Sequence, residues 1–313
     1  MVRASLAALV GAFLLMWASP AMAQACCAAS ELRSPSRLGM GQMWSVGLMA
    51  DAQIYSAVFA GTDYRSLDDR GHELRQTPFV SRRLGDDWQV AASLPLVQNR
   101  RQNGQYSEWG GGIGDLTAMV RYEVVAPGMS ATWPGIALSA SAVLPTGRSP
   151  SASMERGESA LQSDVTGRES ARFDLGGDVA WSGTTHFAAV DVGIYQALPF
   201  TDGRGDTVLP GVGSRASLSV GRSLGAPLVW DETVYLSLGL GLDRRGSLRA
   251  EGRTVADSRE FMTHLAIAAG AYLTETLYLS VHASWHIPLD YFGENRLAGP
   301  RAGLVLKRIF YDL

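Results

Sequence analysis

Three features of the amino-acid sequence predict an all-β chain that closes as a transmembrane, antiparallel, up-and-down β-barrel of about twelve strands. Short stretches alternate apolar and polar residues with the period of two that a strand requires. Tight turns and long polar loops succeed one another in strict alternation from residue 66 to the end. The polar strand faces carry fixed charge, which suits a wet lumen surrounded by lipid better than the dry core of a sandwich. Residues 115–124 show this inversion. Leu116, Ala118, Val120, Tyr122 and Val124 share one face, while Asp115, Thr117, Met119, Arg121 and Glu123 share the other.

The chain opens on a segment that reads as a signal peptide, residues 1–23. Arg3 supplies the basic start, Leu6 to Trp17 an uncharged apolar stretch, Ser19-Pro20 a break, and Ala21-Met22-Ala23 a small-residue cleavage site. Cleavage there starts the mature chain at Gln24 and sends it out of the cytoplasm. Residues 24–38 form a polar lead-in, and 39–313 the barrel. The two cysteines, Cys26 and Cys27, are adjacent in the lead-in. They suit an exposed tail with a vicinal or intermolecular disulfide. The alternative, acylation of Cys26, lacks the usual leucine upstream. Two thiols alone are too few ligands for a metal.

Alternation begins near Met40. The tight connections are Gly85-Asp86-Asp87, the stretch 126–133, Ser182-Gly183-Thr184, Gly225-Ala226-Pro227 and Thr274-Glu275. The long polar ones are 100–111, 147–170, 200–211, 245–257 and 290–298, with a shorter one at 66–71. Six loops each joining two strands give about twelve strands, an even number as bacterial barrels require. Residues 40–65 are too long for one ordinary strand, and splitting them would make fourteen. Trp88, Tyr122, Trp133, Trp181, Phe187, Trp230 and Tyr311 fall beside the short turns or the terminus, where an interfacial girdle belongs. Phe173, Phe261, Trp285 and Tyr291 mark the opposite ends. On the last strand Val305, Ile309, Tyr311 and Leu313 alternate as an outward face, interrupted by Lys307, the only lysine in the chain.

Composition agrees with this reading. A net charge of −3 gives no electrostatic case for nucleic-acid binding. Hydrophobic residues make up 46% of the chain, yet no apolar run after the start reaches the roughly 18 residues of a membrane helix. Outer-membrane lipids, a small-molecule solute and the barrel-assembly machinery are therefore the expected partners, in the bacterial outer membrane. No cofactor is called for, and oligomeric state is not legible.

Gly110-Gly111-Gly112-Ile113-Gly114-Asp115 superficially suggests a phosphate loop, but it leads into a strand and no lysine follows, so the glycines read as a flexible loop-to-strand junction. Gly112-Ile113-Gly114-Asp115-Leu116 opens a strand ending near Arg121-Tyr122, and Leu144-Pro145-Thr146-Gly147 closes the next. This pair of motifs resembles the outer-membrane family named for the meta-pathway of phenol degradation. The motifs cover residues 112–147, and the strand-loop rhythm most of the mature chain. The resemblance implies a channel-type barrel that takes up or exports small molecules, aromatic ones among them, and it carries no catalytic residues.

His282-Ala283-Ser284 matches the His-x-Ser pair of outer-membrane lipases, in which histidine is the base for serine. Here Leu277, Leu279, Val281, Ala283, Trp285 and Ile287 form the apolar face, so His282 and Ser284 point into the lumen, away from lipid. The chain is accordingly not expected to be an enzyme. His264 on the preceding strand also faces inward. A turn at 273–275 sets it opposite residue 284, with His282 and His286 flanking it diagonally. Polar pore lining is the plain reading of this cluster; a soft-metal site or a proton-sensitive gate are the alternatives.

The expected pore lining comprises Asp115, Arg121, Glu123, Arg172, Asp174, Asp178, Arg215, Asp243, His264, His282, Ser284 and His286, with Asp191 and Glu260 on the same face. Both signs are interspersed, so pairing braces the wall and strong ionic selectivity is not predicted. Loop 147–170, the longest, either folds inward as a constriction or stands outside. The leading expectation is passive passage of small molecules. A structural or adhesion-type barrel, a lipolytic enzyme and a metal-binding barrel are the other classes.

Overall fold

The computed structural model describes residues 36–39, 41–126, 133–157, 159–183, 185–203, 205–225 and 233–311. The signal peptide, Cys26, Cys27, Trp230, Leu313 and most of the turns near 128 and 227 lie outside these residues.

In chain order the elements are β1 (Gln42–Ala60), β2 (Asp63–Leu84), β3 (Trp88–Ser93), β4 (Leu96–Asn103), β5 (Tyr106–Ile113), β6 (Leu116–Val125), β7 (Gly135–Leu144), α1 (Pro150–Arg156), β8 (Arg172–Ser182) and β9 (His186–Ala197). There follow β10 (Phe200–Thr201), β11 (Thr207–Leu209), β12 (Gly213–Gly225), β13 (Thr233–Arg245), β14 (Arg249–Ala250), β15 (Arg253–Thr254), β16 (Glu260–Thr274), β17 (Leu277–His286), β18 (Gly293–Glu294), β19 (Arg296–Ala298) and β20 (Arg301–Tyr311). Each long strand pairs antiparallel with its neighbours, and β20 closes onto β1 from Gln42↔Tyr311 to Gln53↔Arg301. β3 and β4 are one stave interrupted at Leu94-Pro95, because proline has no N–H to give the ladder. β5 and β6 are one stave interrupted at Gly114-Asp115, where Gly114 donates to the Pro95 carbonyl instead (2.7 Å). With these joined, the staves number twelve. Closure matters in lipid, since an open edge would leave backbone donors and acceptors with no water to meet them.

The inversion read from the sequence is present. Leu48, Val80, Leu138, Val192, Ile267, Val281 and Leu304 stand exposed around the outside. Ser45, Asp51, Thr77, Ser81, Gln89, Arg121 and Asp178 are buried inside. A closed barrel with an apolar outer belt and its short connections at one end is an outer-membrane architecture, with those connections on the periplasmic side.

Within 41–65 the chain forms one 19-residue strand, β1, a turn at Gly61-Thr62 and the start of β2, and fourteen strands are not needed. The loop expected at 66–71 is strand, part of β2. The loop expected at 100–111 is the β4–β5 hairpin turning at Gly104 (φ +57°). Beyond the membrane both faces of a strand meet water, so polar composition there no longer separates loop from strand. Loops 200–211 and 245–257 pair with each other as a small four-stranded sheet, β10-β11-β14-β15.

Two face assignments need correction. Val305, Lys307 and Ile309 point inward, and the outward face of β20 is Leu304, Leu306 and Phe310. Phe187 is not in the girdle but buried inside, in a cluster with Ala180, Ala189, Tyr235, Tyr278 and Ile309. Trp88, Trp133, Trp181 and Tyr311 are exposed near the periplasmic end as expected, with Trp88 packed on Tyr122. The inward cluster needs glycine opposite it. A Cβ on Gly221 would sit 2.1 Å from the Phe187 ring, so the aromatic lies flat across the neighbouring strand.

Candidate solute pathway in the barrel interior

Above the aromatic cluster the interior opens. A central cavity of about 530 Å³ is bordered on β1–β3, β6 and β7 by Met49, Phe79, Ala91, Met119 and Val143 with small hydroxyls between them. On the other side, β8, β9, β12, β13 and β20 contribute Arg172, Asp178, Asp191, Arg215, Asp243 and Arg301. One side therefore mixes apolar and hydroxyl side chains, with Arg121 as its charge, and the other is densely charged. A second cavity of about 510 Å³ lies toward the extracellular end, bordered by Tyr55, Arg101, Glu260, His286 and Arg296. Arg301 and His264 border both, and also a small recess of about 100 Å³ that includes His282 and Ser284.

Two buried carboxylates, Asp174 and Asp51, anchor arginines that reach into the lumen. Asp174 accepts from Arg172 Nε (3.0 Å) and Arg215 Nη1 (3.2 Å). Asp51 accepts from Arg301 Nε (3.1 Å) and is ion-paired with its Nη2 (2.9 Å), and its Oδ1 lies 2.8 Å from His282 Nε2. The carboxylates are recessed and the outer arginines are not: Arg215 is 39% exposed against 2% for Asp174, and Arg301 is 41% exposed against 4% for Asp51.

The periplasmic end is filled instead. Residues 36–39 turn back into the barrel, with Arg37 and Leu38 buried. Gln89 receives the Leu38 N–H (3.1 Å) and donates to the Leu38 carbonyl (3.2 Å). Arg83 donates to the Gly39 carbonyl (3.0 Å). Beneath runs a chain of buried ion pairs: Arg83 on Glu123 (2.8 Å), Arg121 between Glu123 and Asp178, and Arg37 on Asp178 (3.4 Å). Glu123 also takes a hydrogen bond from Gln89 (2.7 Å). All these side chains are less than 9% exposed, so each charge depends on its partner rather than on water.

Of the residues expected to line the pore, Arg121, Arg172, Asp178, Arg215, Asp243, His264, His282, Ser284 and His286 border these cavities. Asp115, Glu123 and Asp174 do not. Asp174 and Glu123 are sunk in the wall beneath their arginines. Asp115 holds loop backbone, accepting from Gly147 N–H (3.1 Å) and Arg168 N–H (3.0 Å). Arg37 and Arg301 escaped the sequence reading. Arg37 lies in what looked like a tail. Arg301 was hidden by the one-residue shift in the face assigned to β20; read with Lys307 inward, its position in the pore follows.

The histidine cluster is arranged differently from expectation. His264 sits directly opposite His286, and His282 opposite Ala268, because the chain turns at Glu275-Thr276 rather than at 273–275, and the irregularity between Tyr272 and Thr274 takes back only one residue of that displacement. His286 Nδ1 accepts the Gly299 N–H (2.9 Å) and His282 faces Asp51. Among the described residues no group of three metal-ligating side chains converges, and no hydrogen bond joins His282 to Ser284.

The two sequence motifs meet in space. Thr146 Oγ1 donates to the Gly114 carbonyl (2.8 Å) and accepts the Leu116 N–H (2.9 Å), and Asp115 holds Gly147. Together they seat loop 147–170, which docks on the inner face of the β4–β5 hairpin. Asn99 Nδ2 donates to the Val165 carbonyl (2.8 Å), and Glu108 receives the Leu161 N–H (2.9 Å) and Ser163 hydroxyl (2.8 Å). A Cβ on Gly110 would lie 2.5 Å from the Ser163 backbone. Here the glycine tract is strand that lets a loop approach closely, rather than a flexible junction. Within the loop Ser153 and Arg148 both bond Asp164. Burial opposes its ionisation, but these two partners outweigh burial and hold its carboxyl below the usual 3.8.

No family model matches the chain, and no curated protein matches it. Solved structures do. A COG4313 outer membrane channel from Pseudomonas putida F1 is similar with a TM-score of 0.68 at 15% identity, over 89% of this chain and 98% of that one. The β domain of the Bordetella autotransporter BrkA is similar with a TM-score of 0.52 at 11% identity, over 86% of this chain and all of that one. At these identities the likeness is one of fold, the outer-membrane β-barrel.

Proposed function

We propose that the chain is an outer-membrane channel for the passive passage of small molecules with an apolar or aromatic body. The observation that carries this reading is the central cavity. Its volume of about 530 Å³ has room for a small solute, it is lined by Met49, Phe79 and Met119 on one side and by fixed charge on the other, and it shares Arg301 and His264 with the cavity above. The resemblance of residues 112–147 to the phenol meta-pathway family supports aromatic solutes within that class. The residues bordering the cavities, from Arg121 to His286, are its proposed pore lining.

The filled periplasmic end favours a second reading, a structural or adhesion-type barrel that passes nothing. Liposome swelling and planar-bilayer recording of refolded protein separate the two. Passage of small aromatic solutes supports the channel. Absence of both swelling and conductance, with insertion demonstrated, supports the structural barrel. The lipolytic reading has no geometric support, since His282 is engaged with Asp51 inside the lumen; turnover abolished by Ser284→Ala would restore it. For the metal-binding reading, zinc or copper uptake lost in His264→Ala would be the restoring result.

A further inference from the structure

We propose that the central cavity is a binding site for small organic carboxylates, with Arg215 and Arg301 as the residues that select them. This rests on the channel reading and names the charge class of its solute.

Counting charges along the sequence gives near balance, but the balance is not what a solute meets. Asp174 and Asp51 lie behind their arginines in the wall, and the guanidiniums stand in front. Asp174 is shared by Arg172 and Arg215, so one recessed charge answers two that face inward. Donor counting agrees. A guanidinium has five N–H donors. Among the described residues Arg215 gives only Nη1 to a protein partner. Arg301 gives Nε to Asp51 and sets Nη2 2.9 Å from the second carboxylate oxygen as an ion pair, which leaves its Nη1 edge toward the lumen. Guanidiniums so placed suit a carboxylate through paired hydrogen bonds and remain charged at any working pH. Gly193 on the strand beside Arg215 makes room: a Cβ there would come within 3.1 Å of Arg215 Nε.

Three carboxylates border the same cavity and oppose an anion, and Asp178 among them is paired with both Arg121 and Arg37. Asp243 is already engaged, 3.6 Å from Arg296 and accepting the Tyr195 hydroxyl at 2.8 Å. Asp191 accepts from Ser217 Oγ at 3.3 Å and stands on the cavity wall as a partial counterweight. Across from the arginines, Met49, Phe79 and Met119 offer an apolar surface. A ligand satisfying both sides carries one carboxylate on an apolar body.

The test compares benzoate with benzylammonium, which has a similar body and the opposite charge, by calorimetric titration of the folded full-length protein in detergent. Saturable binding of benzoate and none of benzylammonium is expected. Arg215→Gln, which leaves Asp174 to Arg172, weakens benzoate severalfold. Adding Arg301→Gln brings the loss to roughly tenfold or more, the scale of losing charge-assisted hydrogen bonds. Asp191→Asn moves the other way and tightens benzoate. Arg222→Gln, on the outward face of β12, changes nothing. Equal binding of the two probes overturns the proposal, as does no saturable benzoate binding, or undiminished binding in the folded double variant. Bilayer recording in a salt gradient separates this from the channel reading: conductance without anion preference removes the site and keeps the channel. Selective benzoate binding without any conductance removes the channel and keeps the site.

Discussion

The same chemical pair, an arginine on a carboxylate, serves different ends at two levels of this barrel. At the periplasmic level both partners are buried: Arg83 with Glu123, Arg121 with Asp178. At the cavity level only the carboxylate is buried, and Arg215 and Arg301 reach into the lumen. A pair closed on itself fixes strands and holds residues 36–39 in the mouth. A half-buried pair uses the carboxylate as an anchor and presents the cation. The difference is one of depth, and depth follows from what fills the lumen at each level: a peptide segment and an aromatic cluster below, open space above.

The largest expected effect tests the lower level. Glu123→Ala leaves Arg83 and Arg121 without their shared partner in a dry environment, and loss of about 3–5 kcal/mol of stability is expected, read by denaturant unfolding of the refolded barrel. A change below about 0.5 kcal/mol, the ordinary size for an uninvolved surface site, would mean the network is wet and the contrast between the levels is absent.

Overpacking at the aromatic cluster comes next. Gly221→Val drives a branched side chain into Phe187, and a cost of about 1–3 kcal/mol is expected from displacing a packed ring. A Phe187→Ala background should relieve most of it; if the two changes simply add, the rings are not what Gly221 accommodates.

Loop 147–170 responds to acid. Asp164 has a lowered carboxyl in the folded loop, so its stabilising contribution is complete above the ordinary value of 3.8 and is lost as pH falls below that through the lowered one. Proteolysis within 147–170 should therefore accelerate below about pH 4 and not between pH 5 and 8. Equal susceptibility at pH 3.5 and pH 7 would place the docking of the loop elsewhere. The smallest effect is at the cavity level, where Arg215→Gln is expected to leave thermal stability unchanged within a degree or two, because Asp174 keeps Arg172. A loss comparable to that of Glu123→Ala would show that the two levels are built alike.

The barrel was legible because lipid imposes period two on every stave, and charge on the inner face betrays the wet side. Strand count followed from loop rhythm even where individual loops were misplaced: residues 66–71 are strand and 100–111 a hairpin with only Gly104-Gln105 as its turn, polar because they stand in water. The face of β20 was misread for a local reason, since Ile309 and Val305 are apolar yet inward, Ile309 in the cluster around Phe187. A one-residue error there also hid Arg301. The histidine register was missed because the turn falls at Glu275-Thr276, a residue or two beyond where the pattern set it, with a one-residue irregularity before it. Residues 36–39 could not be placed at all, because a polar segment in a ring of polar side chains has the composition of a tail. The motif at 112–147 was recognisable as a pattern, but its physical role, Thr146 and Asp115 seating a loop on glycine, needs three dimensions.

Conductance through single molecules bears most directly on a barrel narrowed below by residues 36–39 and holding cavities above. Wild-type protein and a chain lacking residues 24–39 would be recorded in the same bilayer, with folding verified by circular dichroism. A small conductance in the wild type that rises severalfold on removal of the segment is the predicted result. Inserted, folded barrels that pass no current in either form would contradict it.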